Sequence, residues 1–387
     1  MAPMLTGPPL GRFRTKLLAW FAQFRRDLPW RRTKDPYRIW LSEIMLQQTR
    51  VAAVIPYYER FLAHFPDVKA LANAPEEDVL RLWAGLGYYS RARNLQKAAR
   101  QIVAQHHSSF PDTASEVLKL SGIGEYTAAA ILSIAYNKKL AVLDGNVARV
   151  IARLAAIRGD LRANGRWQEL QAIANDLLSP RASGDWNEAM MELGATICTP
   201  RSPRCLVCPV SEFCEARKLG LTESIPEKRK KREGVDVALA AMVMVDADGQ
   251  TLLLPPPGNL NSGGNGEKVG ALLSRMWHFP TIQIKRTAKT DLRDFAKKDL
   301  LGGRPLPSNL LPLPKVRHTV TFRSITIEPF LINFRRIPRI AGAKILPLHD
   351  LNSVPISNLT RKVARSALAN PAHSPSKTAL SPSPLPF

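Results

Sequence analysis

Apolar side chains recur at helical spacing through most of the first 222 residues. Leu17, Leu18, Phe21 and Phe24 mark one stripe, and Val147, Val150, Ile151 and Leu154 another at i, i+3, i+4, i+7. Pro36 is suited to the first turn of a helix running through Ile44, Met45 and Leu46. Val79, Leu82 and Trp83 form a shorter stripe ahead of Gly85. Ala128 to Ala135 is small and apolar throughout, as in a helix packed closely on its neighbours. Strand signals are scarce here, so the pattern predicts an all-α half.

The period changes after a charged stretch, Ile225 to Gly234. Val235 to Val245, the turn Asp246-Ala247-Asp248-Gly249 and Thr251 to Leu254 read as strand, turn, strand. Phe322 to Phe330 alternates as a strand does. Residues 255–266 are rich in Pro, Gly and Asn and read as a loop, and 374–387 as a disordered Ser/Pro-rich tail. The predicted organisation is a helical domain over 10–197, a cysteine-bearing loop over 198–222 and a basic linker over 223–234. An α+β domain over 235–368 and a disordered tail over 369–387 complete it.

Charge narrows the partners. The chain has 387 residues with 55 Lys plus Arg against 32 Asp plus Glu, a formal charge of +23. Such an excess suits a polyanion, either nucleic acid or an anionic membrane surface, and it can touch DNA phosphates through the linker. The longest apolar run, Val237 to Val245, is far below the ~20 residues that cross a bilayer. The N-terminus lacks the apolar segment of a signal peptide. A cytoplasmic protein without membrane attachment, acting as a monomer, is expected.

All four cysteines fall within one short segment, as Cys198-x6-Cys205-x2-Cys208-x5-Cys214. Four thiolates so close in sequence wrap one metal centre with little loop-closure cost. Zinc sites usually draw on two close pairs a dozen or more residues apart. One close pair with a single cysteine on each side fits a cubane iron–sulfur cluster better, with zinc or four unrelated buried thiols as the alternatives. Arg201, Arg204, Arg217 and Lys218 surround the cysteines and suggest a loop that faces DNA.

Leu120-Ser121-Gly122-Ile123-Gly124-Glu125-Tyr126-Thr127-Ala128 sets Gly122 and Gly124 astride an apolar residue at a helix entrance. Such glycines bring backbone N–H groups close to an anion, as in a helix-hairpin-helix gripping a DNA phosphate. Two acids stand out by context. Glu43 lies in Trp40-Leu41-Ser42-Glu43-Ile44-Met45-Leu46, among mostly apolar neighbours, and Asp144 opens the helix that begins Gly145-Asn146-Val147. A partly exposed helical glutamate and a plain N-cap are the ordinary alternatives.

Hairpin, Asp144 and cysteine loop together resemble the endonuclease III superfamily of base-excision DNA glycosylases. Within it, Pro29-Trp30-Arg31, Ser42 to Val51, Gly85 to Leu95 and Asp144-Gly145-Asn146-Val147 resemble the adenine DNA glycosylases. The resemblance is continuous from about 13 to 220 and weaker from 235 to 365. It implies an all-α helix-hairpin-helix glycosylase domain over 10–197, with a [4Fe-4S] cluster on Cys198, Cys205, Cys208 and Cys214. A nudix-like α+β recognition domain over 235–368 follows. Lyase members carry Lys where this chain has Tyr126, and a Lys amine is the nucleophile that Schiff-base chemistry needs. A monofunctional hydrolase is therefore expected.

The resemblance also assigns roles. Glu43, with a raised pKa, protonates adenine N7 and then handles water. Asp144, kept ionised by a helix N-terminus, stabilises the oxocarbenium-like sugar, a role the resemblance extends to a transient covalent bond. Tyr126 and Asn146 assist. The adenine must leave the stack, and Gln48 and Tyr88 resemble the side chains that enter the duplex behind it. Arg31, Leu46, Thr49 and Glu188 match positions around the extruded base.

The second half departs from the pattern. Arg275-Met276-Trp277-His278-Phe279-Pro280 carries His278 where the family has Glu, and 290–298 lacks the glutamate cluster that holds magnesium in nudix hydrolases. The recognition loop His318-Thr319-Val320-Thr321-Phe322 keeps the first His and a hydroxyl but lacks the Phe wedge and second His, leaving Thr321 as the hydrogen-bond donor. The expected function is removal of adenine opposite 8-oxoguanine or guanine in double-stranded DNA. A thymine or uracil mismatch glycosylase is the enzymatic alternative, and a non-catalytic DNA-binding iron–sulfur module the other.

Overall fold

The computed structural model describes residues 5–227, 233–256, 276–307, 309–320, 322–351 and 353–370. Two compact units emerge. One comprises 1–75 and 90–231, the other 76–89 and 232–387.

The first unit is helical. Its described helices include α1 (Gly7–Phe24), α2 (Pro36–Leu46), α3 (Val51–His64), α4 (Val68–Asn73), α6 (Ser90–Gln105), α7 (Ala114–Val117), α8 (Glu125–Tyr136), α9 (Gly145–Leu154), α10 (Arg166–Leu177), α11 (Ser183–Thr196) and α12 (Glu215–Lys218); α5 (Glu76–Trp83) belongs to the second unit. Pro36 does open α2, where Asp35 caps the helix by accepting from the Tyr37 N–H at 2.9 Å. Phe13, Leu17 and Phe21 of α1 join Val147, Val150, Ile151 and Leu154 of α9 and Trp186 of α11 in one core. Phe24 departs from its predicted stripe and is exposed, as the final residue of α1. Ala128 to Ile134 are buried along α8, which packs on α2 and α11.

The predicted linker differs from expectation at its start. Ile225 is buried in the first unit's core, and its carbonyl accepts from the buried Arg153 side chain at 2.7 Å. Lys228 to Arg232 lie outside the described residues, as do residues 257–266 of the predicted loop and the stretch after it to 275, Thr321, and 371–387 of the predicted tail.

The second unit is built on a mixed sheet ordered β4-β6-β1-β2-β7, with β3 also on β1 and β5 on β6. Its strands are β1 (Val235–Val245), β2 (Gln250–Leu253), β3 (Thr281–Gln283), β4 (Leu311–Pro312), β5 (Val316–Val320), β6 (Arg323–Asn333) and β7 (Lys344–Pro347). β1 and β6 run parallel, and the other pairs are antiparallel. Leu239, Ala241 and Val243 face the helix Asn358–Leu368, while Ala240, Met242 and Met244 face the helix Ala288–Phe295. Cover on both faces explains why the second half of β1 is continuously apolar. This is the expected α+β architecture. Among the described residues no helix is long and apolar enough to cross a membrane.

Residues 76–89 depart from the predicted continuous helical domain. The Asn358 amide donates to the Gly85 carbonyl at 3.3 Å, the Tyr89 hydroxyl to the Ile356 carbonyl at 3.4 Å, and Lys344 pairs with Glu77 at 2.6 Å. These contacts group α5 and the following loop with the sheet.

Candidate active site

A cavity of about 550 Å³ opens in the first unit, lined by Glu43, Tyr126, Asp144, Asn146, Arg31, Leu46, Gln48, Thr49 and Glu188 among others. Nine residues predicted from sequence thus meet in one place.

Glu43 is 6% exposed on α2. Its Oε2 accepts the Tyr126 hydroxyl at 2.8 Å. Burial pushes its carboxyl up to about 7, against the pull of the Tyr126 hydrogen bond; the charges of Asp144 and Glu188 push the same way as burial, and Arg31 opposes them. The exposed-glutamate alternative is therefore overturned. Burial also holds the Tyr126 phenol well above its ordinary range, so it is a hydrogen-bond donor.

Asp144 is both N-cap and cavity wall. Oδ1 accepts from the Val147 N–H at 2.7 Å and Oδ2 from the Asn146 amide at 3.0 Å. These donors hold its carboxyl down, as a helix N-terminus should, yet burial outweighs them and the net direction is upward. Asn146 Oδ1 accepts in turn from Arg149 at 2.9 Å, whose Nε reaches the Cys198 carbonyl at 2.8 Å.

Arg31 forms ion pairs with Glu188 at 3.4 Å and Glu192 at 2.9 Å. Glu192 also receives both ends of the Arg26 guanidinium at 2.7 Å. Despite its own burial, the two arginines bring the Glu192 carboxyl down to about 2. Glu192 and Arg26 were not predicted from sequence. The available signal was Glu188 and Glu192 four residues apart, hence on one helix face, within an apolar stretch.

The chain leaves α2 through a tight turn. Gln47 has φ −54° and ψ 115°, Gln48 has φ 56°, and the Thr49 N–H returns to the Leu46 carbonyl at 3.1 Å. This is a type II turn with Gln48 at the position that favours glycine. Gly122 has φ +77°, and a Cβ there would lie 2.7 Å from the Asn94 Cβ; Gly124 caps α8. Neither glycine lines the cavity. Tyr88, with φ 48°, lies in the segment grouped with the sheet.

In the second unit, burial lowers the pKa of both His278 and His318, the latter helped by Lys362. His278 is buried with Nδ1 2.7 Å from the Phe279 carbonyl, so it packs inside the unit.

Cys198, Cys205, Cys208 and Cys214 line a second, smaller cavity with Arg153 and Arg217. All four are half-buried. Burial pushes the Cys208 thiol up to about 12, and the neighbouring cysteines add to it. Arg153, 1% exposed, sets Nη1 3.2 Å from the Cys198 sulfur and 2.7 Å from the Thr199 carbonyl. Burial raises the Cys214 thiol as well, and four clustered sulfurs of which Cys208 and Cys214 resist ionisation alone suit a positively charged iron–sulfur core that draws them into the thiolate form.

Two family models match. The HhH-GPD superfamily base excision DNA repair protein covers residues 41–176, and the iron-sulfur binding domain of endonuclease III covers 198–214, the first cysteine to the last. Adenine DNA glycosylase of Homo sapiens is 34% identical over 404 residues, spanning 91% of this chain and 73% of that protein. The chain belongs to the adenine DNA glycosylase family. The adenine DNA glycosylase of Buchnera aphidicola (Acyrthosiphon pisum) is 40% identical over 221 residues, 57% of this chain and 63% of that one. A thermostable thymine-DNA glycosylase structure has a TM-score of 0.50 at 29% identity, covering 55% of this chain and 97% of its own. As an adenine DNA glycosylase, the chain is a DNA-binding hydrolase of base excision repair. It carries a [4Fe-4S] cluster in the loop that holds its four cysteines.

Proposed function

We propose that this enzyme excises adenine from A:8-oxoguanine and A:G mispairs by hydrolysis alone. One observation carries the reading: a glutamic acid with a pKa of about 7, buried in a cavity that also holds an aspartate at a helix N-terminus. Glu43 protonates adenine N7 as the N9–C1′ bond breaks, and the bonding pair leaves with the base. Asp144 stabilises the cationic sugar. Water then adds at C1′ and returns its proton to Glu43, restoring the acid. Tyr126 and Asn146 orient the two carboxylates, while Arg31, Glu188, Leu46 and Thr49 surround the extruded adenine. Gln48 and Tyr88 fill the space it leaves, and Gly122 and Gly124 grip a phosphate.

Tyr126 supports the absence of lyase chemistry, because a phenol forms no Schiff base. The neutral His318 and the neighbouring Thr321 are suited to reading the opposite base. The four cysteines bind the cluster, and the enzyme works as a cytoplasmic monomer, the setting that clustered reduced thiols favour. The domains run 10–197 without the segment 76–89 that groups with the sheet, 198–222, 223–234 with Ile225 anchored in the first unit, 235–368 and 369–387, with the fourth nudix-like.

The test is a single-turnover assay on duplexes with A opposite 8-oxoguanine, G, C or T. Strand breaks are expected only after alkali and only for the first two. Breakage without alkali contradicts the hydrolytic reading, and equal rates on all four contradict the mispair specificity.

A further inference from the structure

Arg91 belongs to the Gly85–Leu95 motif but has no part in the chemistry above. It is 9% exposed near the start of α6, and a single nitrogen, Nη1, reaches three carbonyls at the end of α2. These are Ile44 at 2.7 Å, Met45 at 3.0 Å and Gln47 at 2.6 Å, while Nη2 lies 3.3 Å from the Thr49 hydroxyl. The shortest of these contacts falls on the Gln47 carbonyl, the central peptide of the type II turn. Type I and type II turns differ by a flip of that peptide, and the type II form demands the positive φ found at Gln48. A glutamine there is strained in isolation.

We propose that Arg91 is a positioning residue that locks this peptide in the type II orientation and so aims Gln48. The inference rests on the reading of Gln48 as the side chain that fills the duplex behind the extruded adenine. Without Arg91, the Gln47–Gln48 peptide turns over, Gln48 relaxes to negative φ, and its side chain leaves the cavity wall. Glu43, one helical turn earlier, keeps its acidity because its own partners are untouched.

The holoenzyme is tested as Arg91→Met, Arg91→Lys and Gln48→Ala on a duplex with 2-aminopurine at the target position, whose fluorescence rises on unstacking. Arg91→Met is expected to lose most of that rise and about 10²-fold in single-turnover rate on adenine, with the midpoint of the pH–rate profile unchanged. Arg91→Lys recovers much of both, since one ammonium can serve the three carbonyls that Nη1 serves. Gln48→Ala loses the rise as Arg91→Met does. A full rise in Arg91→Met beside a lost one in Gln48→Ala overturns the role of Arg91 alone. A full rise in Gln48→Ala overturns the reading of Gln48 and the inference with it. A moved pH midpoint in a folded Arg91 variant also overturns it, because Arg91 would then act on Glu43. Should Arg91→Met fail to fold, Arg91→Lys decides: recovered fluorescence supports the positioning role, and no recovery overturns it.

Discussion

The Tyr126 hydroxyl donates to Glu43 Oε2 across 2.8 Å, tying the first turn of α8 to the last turn of α2. This bond favours the ionised carboxylate, so it works against the burial that keeps the acid protonated. Tyr126→Phe removes the downward pull, and the Glu43 pKa rises above about 7. The alkaline limb of the single-turnover pH–rate profile should move to higher pH. An unmoved or lowered limb would show that another group controls it.

Glu43 itself should be costly to the fold. Its folded pKa of about 7 exceeds that of an unfolded glutamate, so the stability tied to its protonation is fully present at low pH and is lost as pH rises through about 7. Glu43→Gln is expected to abolish base release, a loss of at least ~10³-fold, while raising thermal stability at pH 8 by up to about 3 kcal/mol. The stability gain should vanish below about pH 4. Calorimetry at both pH values, beside a binding assay that remains near wild type, checks both halves.

Glu192→Gln leaves Arg26 and Arg31 without their shared counter-charge. Because the carboxyl has a pKa of about 2, the loss should be felt at every working pH. Breaking such a buried pair costs roughly 3–5 kcal/mol. Arg31, released from Glu192, keeps its full charge for Glu43, whose pKa it already lowers, so the alkaline limb should shift down, opposite to Tyr126→Phe. A shift in the same direction in both variants would refute the electrostatic account.

Gly122→Ala meets both a positive φ and the Asn94 side chain. A destabilisation of at least about 1–2 kcal/mol is expected, with weakened binding to any duplex regardless of the mispair. Thermal melts and non-specific DNA titrations measure the two effects separately.

Cys208→Ser should lower the iron content and the visible absorption of the purified protein. It should also destabilise the first unit, because Cys208, with Cys198 and Cys214, packs against that unit's hydrophobic core. Full iron retention would point to a different ligand set.

Local signals found three helices: the i, i+3, i+4, i+7 spacing of α9, the proline in the first turn of α2 and the unbroken run of small apolar residues in α8. The residues of the cavity were legible where a local rule marked them, such as the cap at Asp144 and an acid among apolar neighbours at Glu43. Glu192 and Arg26 were not, since their pairing joins residues 166 positions apart. The upward direction at Asp144 was also hidden, because burial is set by the whole fold and exceeds what a helix N-terminus supplies. Residues 76–89 read as one more helix and turn of the first domain, and only long-range contacts to Lys344, Ile356 and Asn358 assign them elsewhere.

That assignment makes the second unit discontinuous along the chain. Dividing the gene at residue 231 would not release two self-sufficient halves, because the sheet would lose α5 and the amino-terminal fragment would carry the Tyr88 loop without Asn358 to hold it. An enzyme trimmed at that point would keep Glu43 and its cysteine loop, while the segment that carries Tyr88 would lose its tie to the sheet.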